Sequence, residues 1–284
     1  MLTVHAPAKI NLVLEVLGKY DDYHQISSIL QTINLYDTLN FKLSQELSLK
    51  CNEPNLEYNN LVPAAAMLLK REAKYGRGAQ IELYKNIPWG VGLGGGSSDA
   101  AATLLTLNKL WGLKLPLPKL VHLAAKLGSD IPFFIYGGTA LAERKGERIT
   151  TLPSLSPTCF ALLVPPIPKI HDKTKQLYAK LNASYFTKGQ FACAALMSLR
   201  QEKTIPPPLL FNVFEKVAFD SFPNLANYKK SFEEAGASSV HLAGSGPCLF
   251  APAYKEGEAN KLCLRLRKQG LECYVAFSLP RVAR

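Results

Sequence analysis

The chain has 284 residues, long for one compact core and short for three, so two domains are expected. Hydrophobic residues make up 48% and charged residues 19%, and no segment approaches the roughly 18 uninterrupted apolar residues of a membrane helix, so the composition describes a soluble globular protein without a membrane span. The 33 Lys and Arg outweigh 22 Asp and Glu to leave a formal charge of +11, which raises nucleic acid and nucleotides as partners; the cations are scattered rather than run together, which favours a general basic surface over a nucleic-acid stripe.

Pro7, Lys9, Asn11 and Glu15 interrupt any apolar stretch that a signal sequence would need, so the start reads as mature and cytoplasmic. Residues 2 to 16 alternate, with Leu2, Val4, Ala6, Ala8, Ile10, Leu12, Leu14 and Val16 on one face and Thr3, His5, Lys9, Asn11 and Glu15 on the other. This pattern predicts a long strand, bent or begun near Pro7, whose Lys9 and Asn11 point away from the core and are open to a ligand. A second alternating stretch (Ile29, Gln31, Ile33, Leu35), a turn at Tyr36-Asp37-Thr38 and a third stretch (Leu39, Phe41, Leu43) predict antiparallel pairing.

Helix follows over 61–75 and strand over 80–84, then an irregular glycine-rich segment over 88–98 and an Ala- and Leu-rich helix over 99–110. A further helix near 118–127 stops at Gly128. Thr151 to Pro157 carries two prolines and three hydroxyl residues and reads as a linker, which divides the chain into domains 1–155 and 156–284. Beyond it the pattern predicts a strand at 160–164, helices near 173–182, 210–219 and 225–235, a strand around 239–242, and a final helix and strand. Mixed α+β packing is expected. The six cysteines form no CxxC pair and lack His partners at zinc-finger spacing, so reduced, mostly buried thiols are expected.

The segment Pro88-Trp89-Gly90-Val91-Gly92-Leu93-Gly94-Gly95-Gly96-Ser97-Ser98-Asp99-Ala100 sets five glycines and two serines directly before a helix. Glycines reach backbone conformations closed to other residues, so successive N–H groups can converge on phosphate oxygens while the helix presents its positive end. Ser97 and Ser98 add hydroxyl donors or, at Ser98, a magnesium contact. The segment has no GK[ST] ending, which excludes a Walker-type loop. Gly90-x-Gly92-x-x-Gly95 matches GxGxxG, yet the acidic residue a dinucleotide fold needs about twenty positions on is missing, since Asp130 and Glu143 are the next acids after Asp99. Protein-kinase signatures are missing too.

The pattern P-x-G-x-G-L-G-G-G-S-S-D-A-A resembles the second motif of the GHMP kinases, named for galactokinase, homoserine, mevalonate and phosphomevalonate kinases. Pro7-Ala8-Lys9-Ile10-Asn11-Leu12 resembles their first motif and Leu242 to Ala251 their third, so the resemblance spans nearly the whole chain. Gly18-Lys19, Asp21-Asp22-Tyr23-His24, and Ile29-x-Gln31 to Tyr36-Asp37 further resemble the branch of the methylerythritol phosphate pathway, whose substrate is a cytidine diphosphate conjugate. Departures are Asp22 where glycine is usual, Ala243 and Cys248 where serine and threonine are more frequent, and Val213 where aspartate is common.

The resemblance implies an amino-terminal, ribosomal-S5-like ATP-binding domain, a carboxyl-terminal ferredoxin-like domain, and phosphoryl transfer from ATP with Mg2+ to an alcohol. It makes Pro88 to Ser98 the ATP phosphate site, with Asn60 and Lys85 on its adenine side; the plainer roles of those two are a helix N-cap and a surface charge. Gly128-Ser129-Asp130-Ile131-Pro132 resembles a further family segment, which makes Asp130 the catalytic base, and a helix N-cap is its plainer role. Lys9 near Asp130 would keep that carboxylate ionised and offset charge on the transferring group. Asn11, Tyr23, His24, Tyr178 and the Gly244-Ser245-Gly246 turn are the implied substrate contacts, with His24 on a cytosine edge. Another GHMP kinase acting on homoserine or a mevalonate-pathway alcohol, and a noncatalytic RNA-binding protein, are the alternatives.

Overall fold

The computed structural model describes residues 1–21, 23–57, 60–253 and 255–281. Asp22 lies outside the described residues. The chain gathers into two compact units, the first made of Met1–Ala8, Leu35–Trp89 and Gly94–Gly137, the second of Lys9–Asn34, Gly90–Leu93 and Gly138–Arg284. Strands β1 (Leu2–Tyr20) and β2 (Tyr23–Ser44) contribute residues to each. None of the helices among the described residues is long and apolar enough to cross a membrane.

In the first unit, the later part of β2 pairs antiparallel with β4 (Gly78–Tyr84), and β3 (Ser48–Cys51) joins β4 in parallel. Four helices pack on one another: α1 (Leu61–Glu72), α2 (Gly95–Leu110), α3 (Leu117–Leu127) and α4 (Ile131–Tyr136). Helix α1 buries Val62, Ala65, Ala66, Leu68 and Leu69, the spacing of one helical face. The tight helix contacts use small residues, and α2 accordingly buries Ala100 and Ala101 beside Leu104 and Leu107.

In the second unit, β5 (Thr139–Arg144) pairs antiparallel with β2 and β6 (Arg148–Thr151), while β8 (Phe211–Asn212) runs parallel to β1. A separate sheet has the order β11-β7-β10-β9, formed by β7 (Cys159–Val164), β9 (His241–Leu242), β10 (Leu249–Ala253) and β11 (Glu272–Phe277). Its chain order is strand, helices, strand, strand, helix, strand, and its spatial order is fourth, first, third, second: the split arrangement of a ferredoxin-like sheet. Helices α5 (Lys173–Lys180), α6 (Gln190–Glu202), α7 (Glu215–Ser221), α8 (Leu225–Glu234) and α9 (Glu256–Arg267) complete the unit. Phe214, Leu225, Phe232, Leu242 and Leu249 are central to its core. The fold is α+β, as the alternating strands and helical stretches predict.

Several local expectations change. Tyr36-Asp37-Thr38 is no turn, because β2 runs unbroken through it and the buried Asp37 carboxylate accepts the N–H groups of Asn86 and Ile87 at 2.7 and 2.8 Å. Helix α2 begins at Gly95 rather than at residue 99, since Gly94 in a left-handed conformation (φ 74°) turns the chain into it. The helix expected over 210–219 is strand β8 followed by the shorter α7, where the Asn212 side chain accepts from the Phe214 N–H at 3.0 Å. Helix α6 and the β5–β6 hairpin carry no strong periodic signal and were not anticipated.

The polar face of β1 is the largest correction. Lys9, Asn11 and Glu15 are buried, at 4%, 5% and 0% exposure, not turned to solvent. Each has a defined polar environment, which is why the strand tolerates them. The Glu15 carboxylate accepts the N–H groups of Phe191 and Ala192, at 3.3 and 2.8 Å, in the first turn of α6, where the helix end is positive. Glu15→Ala strands those two N–H groups and should destabilise the protein by about 2 to 4 kcal/mol. Urea unfolding should show this as a lower midpoint with an unchanged slope.

Candidate active site

Between Gly90 and Leu93 the second unit fixes the glycine loop by its carbonyl groups. The Gly90 carbonyl accepts from the Lys173 ammonium at 2.9 Å, the Val91 carbonyl from the Cys248 N–H at 3.1 Å, and the Leu93 carbonyl from the Lys9 N–H at 2.9 Å. A planar trans peptide directs its N–H opposite to its carbonyl, so the N–H groups of Val91, Gly92 and Gly94 face the other way. None of the backbone hydrogen bonds among the described residues uses those three donors. Gly92 has φ 96°, and a Cβ there would lie 2.0 Å from the Ala243 carbonyl oxygen, so only glycine fits. The loop is a row of backbone donors with its acceptors tied back, the arrangement that receives an anion.

In the first unit the same chain continues into α2. Gly95, Gly96 and Ser97 occupy its first positions, and the Ser98 N–H makes the first intrahelical bond, to Gly94 at 2.9 Å. The N–H groups ahead of it are the unsatisfied positive end of the helix. The Ser98 hydroxyl is buried, at 1% exposure, and has no hydrogen-bond partner, and Asp99 Oδ1 is likewise unpartnered. Pro88 and Trp89 are half-buried ahead of the glycines.

Lys85 is not a surface charge. Its buried ammonium bonds Asp37 and, at 2.8 Å, Asp99, directly under the first turn of α2: a Cβ on Gly95 would sit 3.0 Å from that ammonium. Burial, set against the attraction of Lys85, lifts the Asp99 carboxyl to about 7. Burial alone would lower the Lys85 pKa, and the charges of Asp99 and Asp37 raise it above the ordinary lysine value instead. Asn60 caps α1, its side chain accepting from the Val62 N–H at 2.9 Å. Asp130 lies at the start of α4, is exposed, and makes no side-chain cap bond to that helix.

In the second unit the Lys9 ammonium donates to Asn11 Oδ1 at 2.7 Å, and Asn11 donates to the Ser28 hydroxyl at 2.8 Å, which in turn donates to the Val13 carbonyl at 2.7 Å. This chain fixes the lysine head group. Gly244 (φ 56°) closes over it, since a Cβ there would lie 2.8 Å from Lys9 Nζ and 2.9 Å from the Gly92 carbonyl oxygen. The implied contacts Lys9, Asn11, Gly90 to Leu93 and Gly244 therefore meet. Lys173 also bonds the Gly246 carbonyl, and the Thr174 and Ser245 hydroxyls share a bond of 2.8 Å.

His24 and Tyr178 meet too, as parallel rings with centroids 4.7 Å apart, and Phe186 abuts His24 edge-on at 6.1 Å. Burial and then the Lys19 charge lower the His24 pKa, so its imidazole is neutral near pH 7. Tyr23 is not part of that stack: it faces Tyr20 at 6.2 Å, with the Lys145 ammonium 4.4 Å from its ring centre, because neighbours on a strand point to opposite faces. Asp37 and Lys173 were missed in the sequence. Asp37 lay within the quoted Tyr36-Asp37 pair but was read as a turn residue; Lys173, one basic residue among 33, had no signal to mark it.

A glycine loop with its carbonyls bonded back, joined to a helix start and paired with a ferredoxin-like unit, is the arrangement of a GHMP kinase. Residues 60–138 match the GHMP kinases N terminal domain and residues 194–271 match GHMP kinases C terminal. The chain belongs to the family of 4-diphosphocytidyl-2-C-methyl-D-erythritol kinases. It is 43% identical to the kinase of that name from Dehalococcoides mccartyi over 98% of this chain and 99% of that one, and 37% identical to the one from a Geobacillus species, covering 94% and 93%. A crystal structure of 4-(cytidine 5'-diphospho)-2C-methyl-D-erythritol kinase superposes with a TM-score of 0.84 at 31% identity, covering 98% and 99% of the two chains. Homoserine kinase from Cytophaga hutchinsonii shares the fold, with a TM-score of 0.75 at 19% identity over 99% of this chain and 95% of that one.

Replacing Lys85 by Met leaves two buried carboxylates under α2 without a counter-charge. The variant should lose about 3 to 5 kcal/mol of stability, measured by urea unfolding.

Proposed function

We propose that the chain transfers the γ-phosphoryl group of ATP to the 2-hydroxyl of 4-diphosphocytidyl-2-C-methyl-D-erythritol, a step on the methylerythritol phosphate route to isoprenoid precursors. The observation that carries the phosphate half is the row of N–H donors at Val91, Gly92 and Gly94, whose carbonyl partners are bonded away. The substrate half is supported by full-length similarity to kinases named for that compound.

Phosphoryl transfer asks for positioning, neutralisation of charge on the moving group and an acceptor for the hydroxyl proton. In this reading Pro88 to Ser98 cradle the ATP phosphates, with Asn60 and Lys85 behind the site: Asn60 shapes the start of α1 and Lys85 supports the start of α2 from below. The buried Lys9 ammonium, held through Asn11, offsets charge developing on the phosphoryl oxygens. Asp130 takes the proton of the attacking hydroxyl. His24 and Tyr178 contact the cytosine, Tyr23 on the opposite face of β2 takes no part in that contact, and the Gly244-Ser245-Gly246 turn lies along the phosphates.

Mg2+ suits the residues present. It binds through one or two protein oxygens, retained waters and substrate phosphates rather than a full protein cage. The unpartnered Ser98 hydroxyl and Asp99 Oδ1 are such oxygens, and no cluster of three His, Cys, Asp or Glu side chains able to hold a metal occurs among the described residues. Bound there, the ion would supply charge neutralisation on the phosphates. In sequence order, residues 1–155 are read as the ATP-binding domain and 156–284 as the carboxyl-terminal domain; the irregular stretch between β6 and β7 supports that division. The six cysteines are free thiols, which suits a reducing cytoplasm.

Incubation with Mg-ATP and, separately, 4-diphosphocytidyl-2-C-methyl-D-erythritol, homoserine and mevalonate should release ADP only with the first. No ADP with the cytidine compound would sink the assignment. Asp130→Asn should lower kcat by roughly 100-fold or more with the fold intact, and near wild-type turnover would remove Asp130 as the base. Ser98→Ala should raise the Mg2+ concentration for half-maximal rate roughly tenfold, read from a magnesium titration at fixed ATP.

A further inference from the structure

Three donors hold the carbonyls of Gly90, Val91 and Leu93, and two of them, the N–H groups of Lys9 and Cys248, are backbone atoms that any residue but proline supplies. The third is a side chain. The Lys173 ammonium, at the first position of α5, reaches the Gly90 carbonyl and the Gly246 carbonyl together. Its neighbour Thr174 shares a hydrogen bond with Ser245 at 2.8 Å, so two consecutive residues of α5 grip the same turn. A Cβ built on Gly90 would lie 3.7 Å from Lys169 Cγ, which places a second lysine side chain against the loop residue that Lys173 holds.

We propose that Lys173 is a positioning residue for phosphoryl transfer, its ammonium fastening the Gly90 and Gly246 carbonyls so that the Val91 N–H stays turned toward the ATP phosphates. The inference rests on the glycine loop being the ATP phosphate site. Gly90 sits at φ 78°, a conformation open chiefly to glycine, and the Gly90–Val91 peptide turns over through ψ of Gly90, which without a Cβ opposes the rotation little. Rotated over, it would present a carbonyl oxygen where a phosphate needs a donor. An ammonium-to-carbonyl bond is charge-assisted and roughly twice as strong as a neutral one, enough to hold one orientation.

The arrangement is unfavourable on other grounds, which argues for function over simple packing. Burial first, and then the nearby Lys9 charge, lower the Lys173 pKa to about 8, with the buried Cys248 acting in the opposite sense. Two cations held near one loop repel each other until an anion sits between their fields. A bound triphosphate relieves that repulsion, and the protein keeps Lys173 at a site whose full benefit appears only with nucleotide present.

The test compares wild type with Lys173→Met, which keeps length and loses the donor, and Lys173→Arg, which restores a cationic donor. Calorimetric titration with MgADP should show affinity weakened roughly tenfold in the Met variant and largely recovered in the Arg variant. In steady-state assays the Met variant should show a KM for ATP raised by a similar factor, a KM for the cytidine substrate within twofold of wild type, and an unchanged urea midpoint. MgADP affinity and KM for ATP equal to wild type in Lys173→Met would overturn the proposal while leaving the kinase assignment standing. A wild-type protein that binds no MgADP would overturn both. A Met variant that loses stability and weakens both substrates equally would reduce Lys173 to a packing role and overturn the proposal as well.

Discussion

A backbone that must receive several negative oxygens has to hide its own. Every peptide carries an acceptor as well as a donor, and a loop left to itself would offer phosphate both. In this chain the acceptors at Gly90, Val91 and Leu93 are drawn off by Lys173, Cys248 and Lys9. Glycines accompany that demand: Gly90, Gly92 and Gly94 all have positive φ, and the Ala243 carbonyl leaves no room for a side chain at Gly92. In the second unit, the first motif strand and the residue that ends the Gly244 to Cys248 turn supply two of those bonds through backbone N–H groups.

The buried charges answer to the same need. Lys85 with Asp37 and Asp99 supports the first turn of α2 from beneath, and Glu15 neutralises the first turn of α6. Each group is matched to a backbone dipole or an opposite charge, as burial demands. A chain with formal charge +11 thus places three of its carboxylates, those of Asp37, Asp99 and Glu15, deep inside. The excess positive charge is left to the surface and to the neighbourhood of the loop, the proposed seat of a polyanionic nucleotide.

Much of this was legible in the residue order. Alternation marked β1, glycine spacing marked the loop, and the family motifs joined segments far apart in sequence. What escaped notice has a common cause. Alternation tells which residues share a face but not what covers that face, so Lys9, Asn11 and Glu15 were read as solvent-directed when polar partners bury them. Asp37 was read as a turn former because aspartate favours turns when its carboxylate has only local N–H groups to bond; here residues 86 and 87 supply them from afar. Lys173 acts on carbonyls more than 70 positions away in sequence, separations of 83 and 73, and no local pattern reports such a bond.

Strand β1 is where these constraints converge. Lys9 and Glu15 share a parity, so one ribbon of backbone sets the position of a loop-anchoring lysine and, six residues later, of the carboxylate that receives α6. In a strand each step advances about 3.3 Å and reverses the face. Loss or gain of one residue between those positions would put one of the two groups on the wrong side, and a change of two would keep the side but displace it by about 6.6 Å. The strand therefore acts as a ruler fixed at both ends: its side chains can be exchanged, but the number of residues between Lys9 and Glu15 cannot change without displacing one of the two groups.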